Sequence, residues 1–253
     1  MPTPVFAAAQ CAISAGDISA NLKLHLAFMR HARELNVDFL LFPELSLTGY
    51  EPPLAEALAQ DADSPLLDPL REYARQASMT AVAGLPLRLP RHEKPLIAAV
   101  ILSPDGSVGI YTKQHLHPGE EHYFSAGHGG DLLHIAGVPM ALSVCADFSH
   151  AQHPSHAAKQ GARVYATSVL IGETGYPHDS SLLQAYARRH AMAVLMANHG
   201  GRTGGWAVAG RSAFWDEQGR RVASTEGTGN QLLVVSNTLG EWQGHSIAVP
   251  GVA

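Results

Sequence analysis

The sequence predicts an α/β protein with mixed β-sheets, and three observations support that fold class. Apolar runs of strand length alternate along the chain with segments of helical periodicity. The Asp-Gly turn at 103–107 joins two of these runs as a hairpin, so the sheets are not purely parallel. The apolar runs number about ten, which suggests two sheets that share a core.

The first half of the chain predicts five strands and two helices. Residues 4–13 predict a buried strand. Asp17 follows a glycine and predicts the N-cap of a helix, because apolar residues then recur at helical spacing from Ile18 to Ala32. The later elements of this half are a helix over 66–78 and strands over 37–43, 79–87, 95–104 and 108–112.

The second half continues the alternation. Its predicted strands cover 138–144, 162–170, 192–198 and 231–237, with a helix over 179–191 and a strand–turn–strand unit over 210–225. No repeat, charged tail or change of composition marks a linker. We therefore predict one domain over residues 1–253.

The composition disfavours several functional classes. With 46% hydrophobic residues the chain is too apolar to be disordered. A formal net charge of −5 makes it a poor candidate for binding nucleic acid through phosphates. Basic runs are absent from the sequence, and its longest apolar stretches reach only about half a membrane span, so we predict no membrane partner.

The same numbers suggest a compartment and an assembly. The first ten residues lack the basic flank and long apolar stretch of a secretory signal, so we predict a cytoplasmic protein. The two cysteines, Cys11 and Cys145, are too few for a disulfide framework. Charged residues make up 15% of the chain, against about 25% in typical domains. We therefore expect a homo-oligomer, a dimer or higher, in which a partner subunit covers part of the surface.

Three chemically reactive residues come directly after predicted strands. Glu44 follows the strand over 37–43, Lys113 follows 108–112 and Cys145 follows 138–144. Ligands of α/β sheets bind outside the carboxyl ends of strands. If the strands are neighbours, these side chains converge on one site.

Together the three residues suit nucleophilic catalysis. A free thiol is mostly protonated at neutral pH, and a nearby ammonium favours the thiolate. A carboxylate can accept the thiol proton and later activate water. The ammonium and the backbone N–H of Ala146 are candidate donors to the oxyanion of a tetrahedral intermediate.

Each of the three residues alone has a plainer interpretation. A single glutamate or lysine after a strand is most often solvated, and a single cysteine in an apolar run is most often a small core residue. Cys11, within the first predicted strand, fits that core role. The functional hypothesis depends on the sequence around all three residues together.

That sequence resembles the nitrilase superfamily of carbon–nitrogen hydrolases. Residues 42–53 are similar to the segment of its catalytic glutamate, 109–127 to the lysine segment and 138–147 to the cysteine segment. Residues 176–201 and 209–225 resemble the later helix, the strand with an asparagine and the Gly-x-Ser hairpin of the family. The likeness covers roughly residues 4–237, with its motifs in the order that the family has.

The resemblance implies a four-layer α-β-β-α sandwich and a set of roles. It implies Glu44 as general base, Lys113 as oxyanion stabiliser and Cys145 as nucleophile. It also implies a further glutamate near the substrate, for which Glu120 and Glu121 compete, and the alignment favours Glu120. Both a direct chemical role and an ion pair that fixes the lysine remain open for this residue.

The implied reaction is hydrolysis of a small-molecule amide through a cysteine thioester, without a cofactor. An N-carbamoyl compound or a nitrile is the alternative substrate. Tyr50, Tyr123 and Ala146 are candidate substrate-binding residues, and Arg202 and Arg211 are candidate partners of a carboxylated amide.

Two other hypotheses come from different classes. A member of the family without catalysis would only bind a ligand or a partner protein, but it would not need all three reactive residues. A metallohydrolase would use histidines such as those at 150, 153 and 156, or the pair at 115 and 117. Pro154 interrupts the first set, and no cysteine or carboxylate completes a site, so we predict no metal and place all these histidines in loops at the pocket rim.

Overall fold

A computed structural model describes residues 4–251, and its strands form two mixed sheets. The strands are β1 (Val5–Gln10), β2 (Phe39–Leu41), β3 (Thr80–Leu87), β4 (Leu96–Leu102), β5 (Val108–Thr112), β6 (Leu133–Ile135), β7 (Val138–Val144), β8 (Val164–Val169), β9 (Ala193–Asn198), β10 (Ala213–Trp215), β11 (Arg221–Ser224), β12 (Gln231–Thr238) and β13 (Glu241–Ala248). The first sheet has the order β13-β12-β1-β2-β3-β4-β5, and the second has the order β11-β10-β9-β8-β7-β6.

The longest helix forms where the sequence supplies both an apolar stripe and a start signal. The helices are α1 (Ile18–Glu34), α2 (Ala55–Leu58), α3 (Asp68–Ala77), α4 (Gln152–Lys159) and α5 (Tyr176–His190). The predicted cap of α1 is present, because the Asp17 carboxylate accepts a hydrogen bond from the Ala20 N–H at 2.9 Å. Like most helices of α/β proteins, α1 buries one face, which includes Leu24, Phe28 and Met29.

Three apolar layers separate four layers of secondary structure. Side chains alternate along a strand, so each sheet presents two faces. One face of the seven-stranded sheet packs on α1 and α3, as Ala7 and Phe28 share a cluster. Its other face packs on the six-stranded sheet, where Phe6 and Val144 share a second cluster. The far face of that sheet packs on α4 and α5. The predicted α-β-β-α sandwich is confirmed.

The strand directions bring the relevant chain ends to one place. β1, β2 and β3 are parallel, and β3–β4 and β4–β5 are antiparallel pairs. β5 therefore runs in the direction of β2, and both strands end at the same edge of their sheet. In the facing sheet, β7, β8 and β9 are parallel.

Several elements depart from the sequence-based expectations. The tail after 240 includes β13, which pairs antiparallel with β12. Glu241 lies opposite Thr238 at one end of the pair, and Ala248 lies opposite Gln231 at the other. Its exposed and half-buried positions largely alternate, so its apolar signal is weak. The short strand β6 and the helix α4 were also unpredicted. Cys11 lies just after β1 rather than inside it.

The sequence predicts no membrane partner, and the lengths of the helices bear on part of that prediction. Within residues 4–251, no helix combines the length and the apolar character that a membrane span requires.

Candidate active site

Glu44, Lys113 and Cys145 converge, although their strands are not neighbours in one sheet. Glu44 and Lys113 follow β2 and β5 of the seven-stranded sheet, and Cys145 follows β7 of the other sheet. Neighbouring strands are not needed for this convergence, because the site lies between the two sheets rather than along one edge. The convergence itself is present, since Glu44 and Cys145 line one cavity and Lys113 contacts Glu44.

A tight turn directs Glu44 into the interior. Pro43 comes after β2, and Leu45 adopts a left-handed backbone conformation with φ of 50°. Gly84 of β3 lies against this turn, where a Cβ atom would overlap the Leu45 backbone nitrogen. The Ser46 hydroxyl accepts a hydrogen bond from the Gly84 N–H at 3.1 Å. A strained residue is retained where the surrounding structure fixes it, and this turn is fixed by β3.

Lys113 is fully buried between two carboxylates. Its Nζ donates to Glu44 Oε1 at 2.7 Å and to Glu120 Oε1 at 2.8 Å. Burial disfavours the ammonium, but the charges of Glu44, Cys145 and Glu120 outweigh it and raise the pKa of Lys113. The lysine is therefore protonated. Two of its three donors are used within the site, which leaves one donor for a ligand.

The structure distinguishes between the two adjacent glutamates. Glu120 is buried, and its second carboxylate oxygen accepts from the His117 N–H at 2.8 Å. Tyr50 donates its hydroxyl to the Glu120 Oε1 that also contacts the lysine. Glu121 is exposed and accepts from the Gly119 N–H at 2.7 Å. Glu120 is thus the acid that contacts Lys113, as the alignment favoured.

Glu44 has the properties of a base. Burial raises its pKa to about 7, the Lys113 charge opposes that shift, and the Glu120 charge adds to it. Its Oε2 atom is buried without a hydrogen-bond partner among the described residues. A carboxylate with a pKa near neutrality and an unused oxygen can both accept and return a proton.

Cys145 begins a single 3₁₀ turn that ends at Ser149, and it has a left-handed φ of 45°. Its side chain is half-buried, and Sγ lies 3.8 Å from the Leu170 carbonyl oxygen. Burial and the Glu44 charge raise the pKa of the thiol, and Lys113 lowers it by less. The lysine therefore acts in the expected direction without producing a resting thiolate. The thiol needs a base.

Asp147 holds the cysteine turn against the lysine strand. Its fully buried carboxylate accepts from the N–H groups of Gln114 and His115 at 2.9 and 2.8 Å. It also accepts from the Val144 N–H at 3.1 Å and from the Tyr111 hydroxyl at 2.8 Å. One side chain therefore connects the residues that flank Lys113 and Cys145.

A cavity of about 360 Å³ opens onto the thiol. Of the predicted substrate-binding residues, Tyr50 and Ala146 line it. Tyr123 lies outside the cavity with 41% of its surface exposed, because it follows the short 3₁₀ turn of Glu120 on the solvent side. Its predicted place in the wall is therefore wrong. The wall includes several residues that sequence reasoning left unassigned: Phe148, Leu170, Ile171 and Asp179.

Neither arginine that we considered for a carboxylated substrate lines the cavity. Arg211 forms an ion pair with Glu173 and lies over the Tyr176 ring at 4.3 Å. Arg202 is exposed and donates to the Gly205 carbonyl at 3.3 Å. Both guanidinium groups thus have other partners.

Two of the three histidines after the cysteine are placed differently from the prediction. His153 and His156 belong to α4 rather than to loops, and both line a separate groove of about 940 Å³ with His115 and His128. His117 is the histidine that lines the thiol cavity. Within residues 4–251, no group of three or more histidines, cysteines or acids has the arrangement of a metal site.

His199 also reaches the site and was not predicted. It is fully buried, and its Nε2 lies 2.7 Å from the Glu44 carbonyl oxygen. It directly follows β9, so it shares the signal that identified the other three residues, a polar residue just past an apolar strand.

Comparisons with known proteins address the family and the fold. The model of the family "Carbon-nitrogen hydrolase" matches residues 6–244. A structure of the amidase from Nesterenkonia sp. AN1 with butyramide is 26% identical, with a TM-score of 0.85 over 94% of this chain and 92% of that chain. A second structure of that amidase carries the acetamide moiety of fluoroacetamide on its active-site cysteine (27% identity, TM-score 0.84, 92% and 90% coverage).

Curated relatives extend the comparison. The (R)-stereoselective amidase of Pseudomonas sp. is 27% identical over 73% of this chain and 68% of its own length. The glutamine-dependent NAD(+) synthetase of Thermotoga maritima is 25% identical over 70% of this chain. The match spans only 32% of that synthetase.

Proposed function

The chain belongs to the carbon–nitrogen hydrolase family and is a thiol-dependent amidase, and we propose that Cys145, Glu44 and Lys113 are its catalytic residues. The observation that carries this assignment is the buried lysine, which joins two carboxylates beside a half-buried thiol in a cavity. A protein that only binds a ligand has no need of this arrangement, because the desolvation penalty of buried charges can exceed the energy gained by pairing them.

In the proposed first step, Cys145 attacks the amide carbonyl while Glu44 Oε2 accepts the thiol proton. The Glu44 pKa of about 7 suits this transfer. The third proton of the Lys113 ammonium and the Ala146 N–H donate to the oxyanion. Glu44 then returns the proton to the leaving nitrogen, and ammonia departs as the thioester forms.

In the second step, Glu44 accepts a proton from water, which attacks the thioester carbonyl. Collapse of the new tetrahedral intermediate breaks the carbon–sulfur bond, and Cys145 recovers a proton from Glu44. The net reaction consumes one amide and one water and releases one carboxylic acid and one ammonia. No cofactor takes part in this proposal.

We assign Glu120 a positioning role. Its carboxylate, held by Tyr50 and the His117 N–H, orients the ammonium of Lys113. Its negative charge also raises the pKa of Glu44, which makes that group a stronger base. Both effects act through a partner residue, so Glu120 need not touch the substrate.

We propose a small uncharged amide as the substrate class. Much of the cavity wall is apolar, with Phe148, Leu170, Ile171 and Trp206 among its residues. Its charged members other than Glu44 and Glu120 are Glu173 and Asp179, which are both acidic. A carboxylated amide would meet Asp179 and a Glu173 that is already paired with Arg211, and the Lys113 ammonium is already paired with two carboxylates. The butyramide in the Nesterenkonia amidase supports an uncharged substrate.

The same proposal includes the organisation of the protein. The family match over 6–244 supports one hydrolase domain over residues 1–253. The low charged fraction supports a homo-oligomer, which light scattering after size exclusion would measure. Two free cysteines are compatible with the reducing environment of the cytoplasm.

Ammonia release from three amides of matched length tests the reaction and the substrate class. Butyramide is neutral, succinamate replaces its methyl group by a carboxylate, and 3-aminopropanamide replaces it by an ammonium. We expect butyramide to exceed succinamate by at least about tenfold in kcat/KM. The Cys145→Ala variant is the blank.

The outcomes separate the parts of the proposal. A preference for succinamate would overturn the substrate class and leave the amidase reaction intact. If all three amides are inert, butyronitrile and N-carbamoyl-β-alanine are assayed next, and ammonia release from either would replace the amide by that substrate class. Equal ammonia release by the wild type and Cys145→Ala would exclude Cys145 as the nucleophile. A wild-type protein that releases no ammonia from any of these substrates would favour a protein that only binds a ligand.

A further inference from the structure

His199 connects the general base to the opposite sheet. It follows β9 of the six-stranded sheet, and Glu44 follows β2 of the seven-stranded sheet. The 2.7 Å contact between His199 Nε2 and the Glu44 carbonyl oxygen therefore crosses the sandwich. A second hydrogen bond crosses the sandwich two residues before Glu44, where the Ser168 hydroxyl donates to the Phe42 carbonyl at 2.8 Å.

The protonation state of His199 follows from its partners. A carbonyl oxygen only accepts hydrogen bonds, so Nε2 must carry the proton. Burial lowers the pKa of the imidazole to about 4, and the ring is neutral at neutral pH. His199 is thus a fixed donor rather than a group that titrates with the reaction.

The other ring nitrogen argues against a role in packing alone. His199 Nδ1 is buried without a hydrogen-bond partner among the described residues. A buried polar atom without a partner carries a desolvation penalty that an apolar side chain of similar size would avoid. What the imidazole adds at this position is the donor to Glu44.

The neighbouring residue connects the same segment to the cysteine. The Asn198 side chain accepts from the N–H groups of His199 and Ile171, both at 2.9 Å, and donates to the Ile171 carbonyl at 3.0 Å. Ile171 lines the cavity and is next to Leu170, whose carbonyl contacts Cys145 Sγ. Asn198 and His199 therefore fix the surroundings of the nucleophile and of the base from one strand end.

We propose that His199 is a positioning residue, whose Nε2–H holds the Glu44 main chain so that its carboxylate faces both Lys113 and Cys145. This inference rests on the proposed function, because it assigns His199 a part in base catalysis. Displacement of a catalytic group by about 1 Å can lower a rate about 100-fold, so a hydrogen bond to the main chain of the base can control the rate.

Two amide variants separate the hydrogen bond from the shape of the side chain. In His199→Gln the amide nitrogen can occupy the place of Nε2 and donate to Glu44. In His199→Asn the side chain is one carbon shorter and its amide reaches only the place of Nδ1. His190→Asn is the matched control, because His190 also has a buried ring nitrogen without a described partner but lies at the end of α5, outside the cavity.

The main readout is the rate at which iodoacetamide alkylates each cysteine, followed by peptide mass analysis across pH. Alkylation of Cys145 reports proton transfer to Glu44 without knowledge of the natural substrate. Alkylation of the fully buried Cys11 reports loss of the fold in the same sample. The kcat for butyramide is measured in parallel.

We expect His199→Asn to lower kcat by about 10–100-fold. The acid limb, the pH range over which Cys145 alkylation rises as Glu44 ionises, should move to higher pH in this variant. The reason is that Glu44 moves away from Lys113, whose charge lowers the pKa of Glu44. His199→Gln should recover kcat to within about threefold of the wild type, and His190→Asn should stay within the same range. Equal rates and equal limbs for Asn and Gln would overturn the inference. A wild-type Cys145 that reacts no faster than Cys11 would overturn the proposed function and this inference with it.

Discussion

The two cysteines of this chain occupy contrasting sites. Cys11 lies just after β1, and Cys145 just after β7. Burial raises the pKa of both thiols. Cys11 is fully buried in an apolar cluster with residues such as Ala9 and Ile13. Cys145 is half-buried beside the charges of Glu44, Lys113 and Glu120, and it faces a cavity.

Under the proposed assignment, neither burial nor position after a strand is enough to make a cysteine reactive. Both residues have these two features, and in both the neutral thiol is favoured. Only Cys145 has a carboxylate with a pKa near 7 that can take its proton and an ammonium that can stabilise an oxyanion. Reactivity therefore depends on what surrounds the thiol.

The largest expected effect tests this comparison directly. Cys145→Ala should reduce amide hydrolysis by at least about 10⁴-fold, because it removes the nucleophile. Cys11→Ala should leave kcat/KM within about twofold and lower the free energy of unfolding by about 1–2 kcal/mol, because it deletes a buried atom from the core. Steady-state kinetics and urea denaturation of both variants measure the contrast. Comparable activity in the two variants would contradict the assignment of the nucleophile.

A smaller effect should follow when the surroundings of Cys145 are made more like those of Cys11. Lys113→Met removes the ammonium, and we expect kcat to fall by about 10²–10³-fold because the oxyanion loses a donor. Glu44 also loses its cation and should become a weaker acid. Lys94→Met is the control, since Lys94 is exposed and contacts the Glu121 carbonyl. Equal rates for the two variants would argue against a role for Lys113.

The smallest effect concerns the tuning of the base. The wild-type kcat/KM should rise with pH through about 7, because Glu44 must be ionised to accept the thiol proton. Glu120→Gln removes a negative charge that raises the pKa of Glu44, so this acid limb should move to lower pH. The rate should fall by about tenfold or more, because Lys113 loses a partner that orients it. A limb that moves to higher pH would contradict the proposed charge balance.

The sequence could predict much of this architecture. Apolar alternation identified most strands, and the Asp-Gly turn identified the β4–β5 hairpin. The apolar pattern did not identify β13, whose positions are partly exposed. It did not identify α4 either, because Pro154 and the histidines of that segment are more typical of a loop. β13 is stabilised by its pairing with the adjacent strand β12, and α4 by packing in the apolar cluster on the far face of the six-stranded sheet, so neither depends on a strong apolar pattern of its own.

The candidate site was predictable in part. The resemblance supplied Glu44, Lys113 and Cys145, and it favoured Glu120 over Glu121. It also led us to place Tyr123 in the wall, but that residue faces solvent. The predicted influence of Lys113 on the thiol had the correct sign, although burial and Glu44 outweigh it. The net charge state depended on a balance that spacing along the chain does not encode.

The sequence by itself determined which chemical groups stand at the ends of which strands, because local periodicity and motif order are properties of neighbouring residues. Only the tertiary structure decided which of those groups meet. Lys113 and Glu44 are 69 positions apart, and His199 and Glu44 are 155 apart. Their contacts, and the burial that sets their pKa values, arise when two sheets pack face to face, since Coulomb forces and desolvation act through space rather than along the chain.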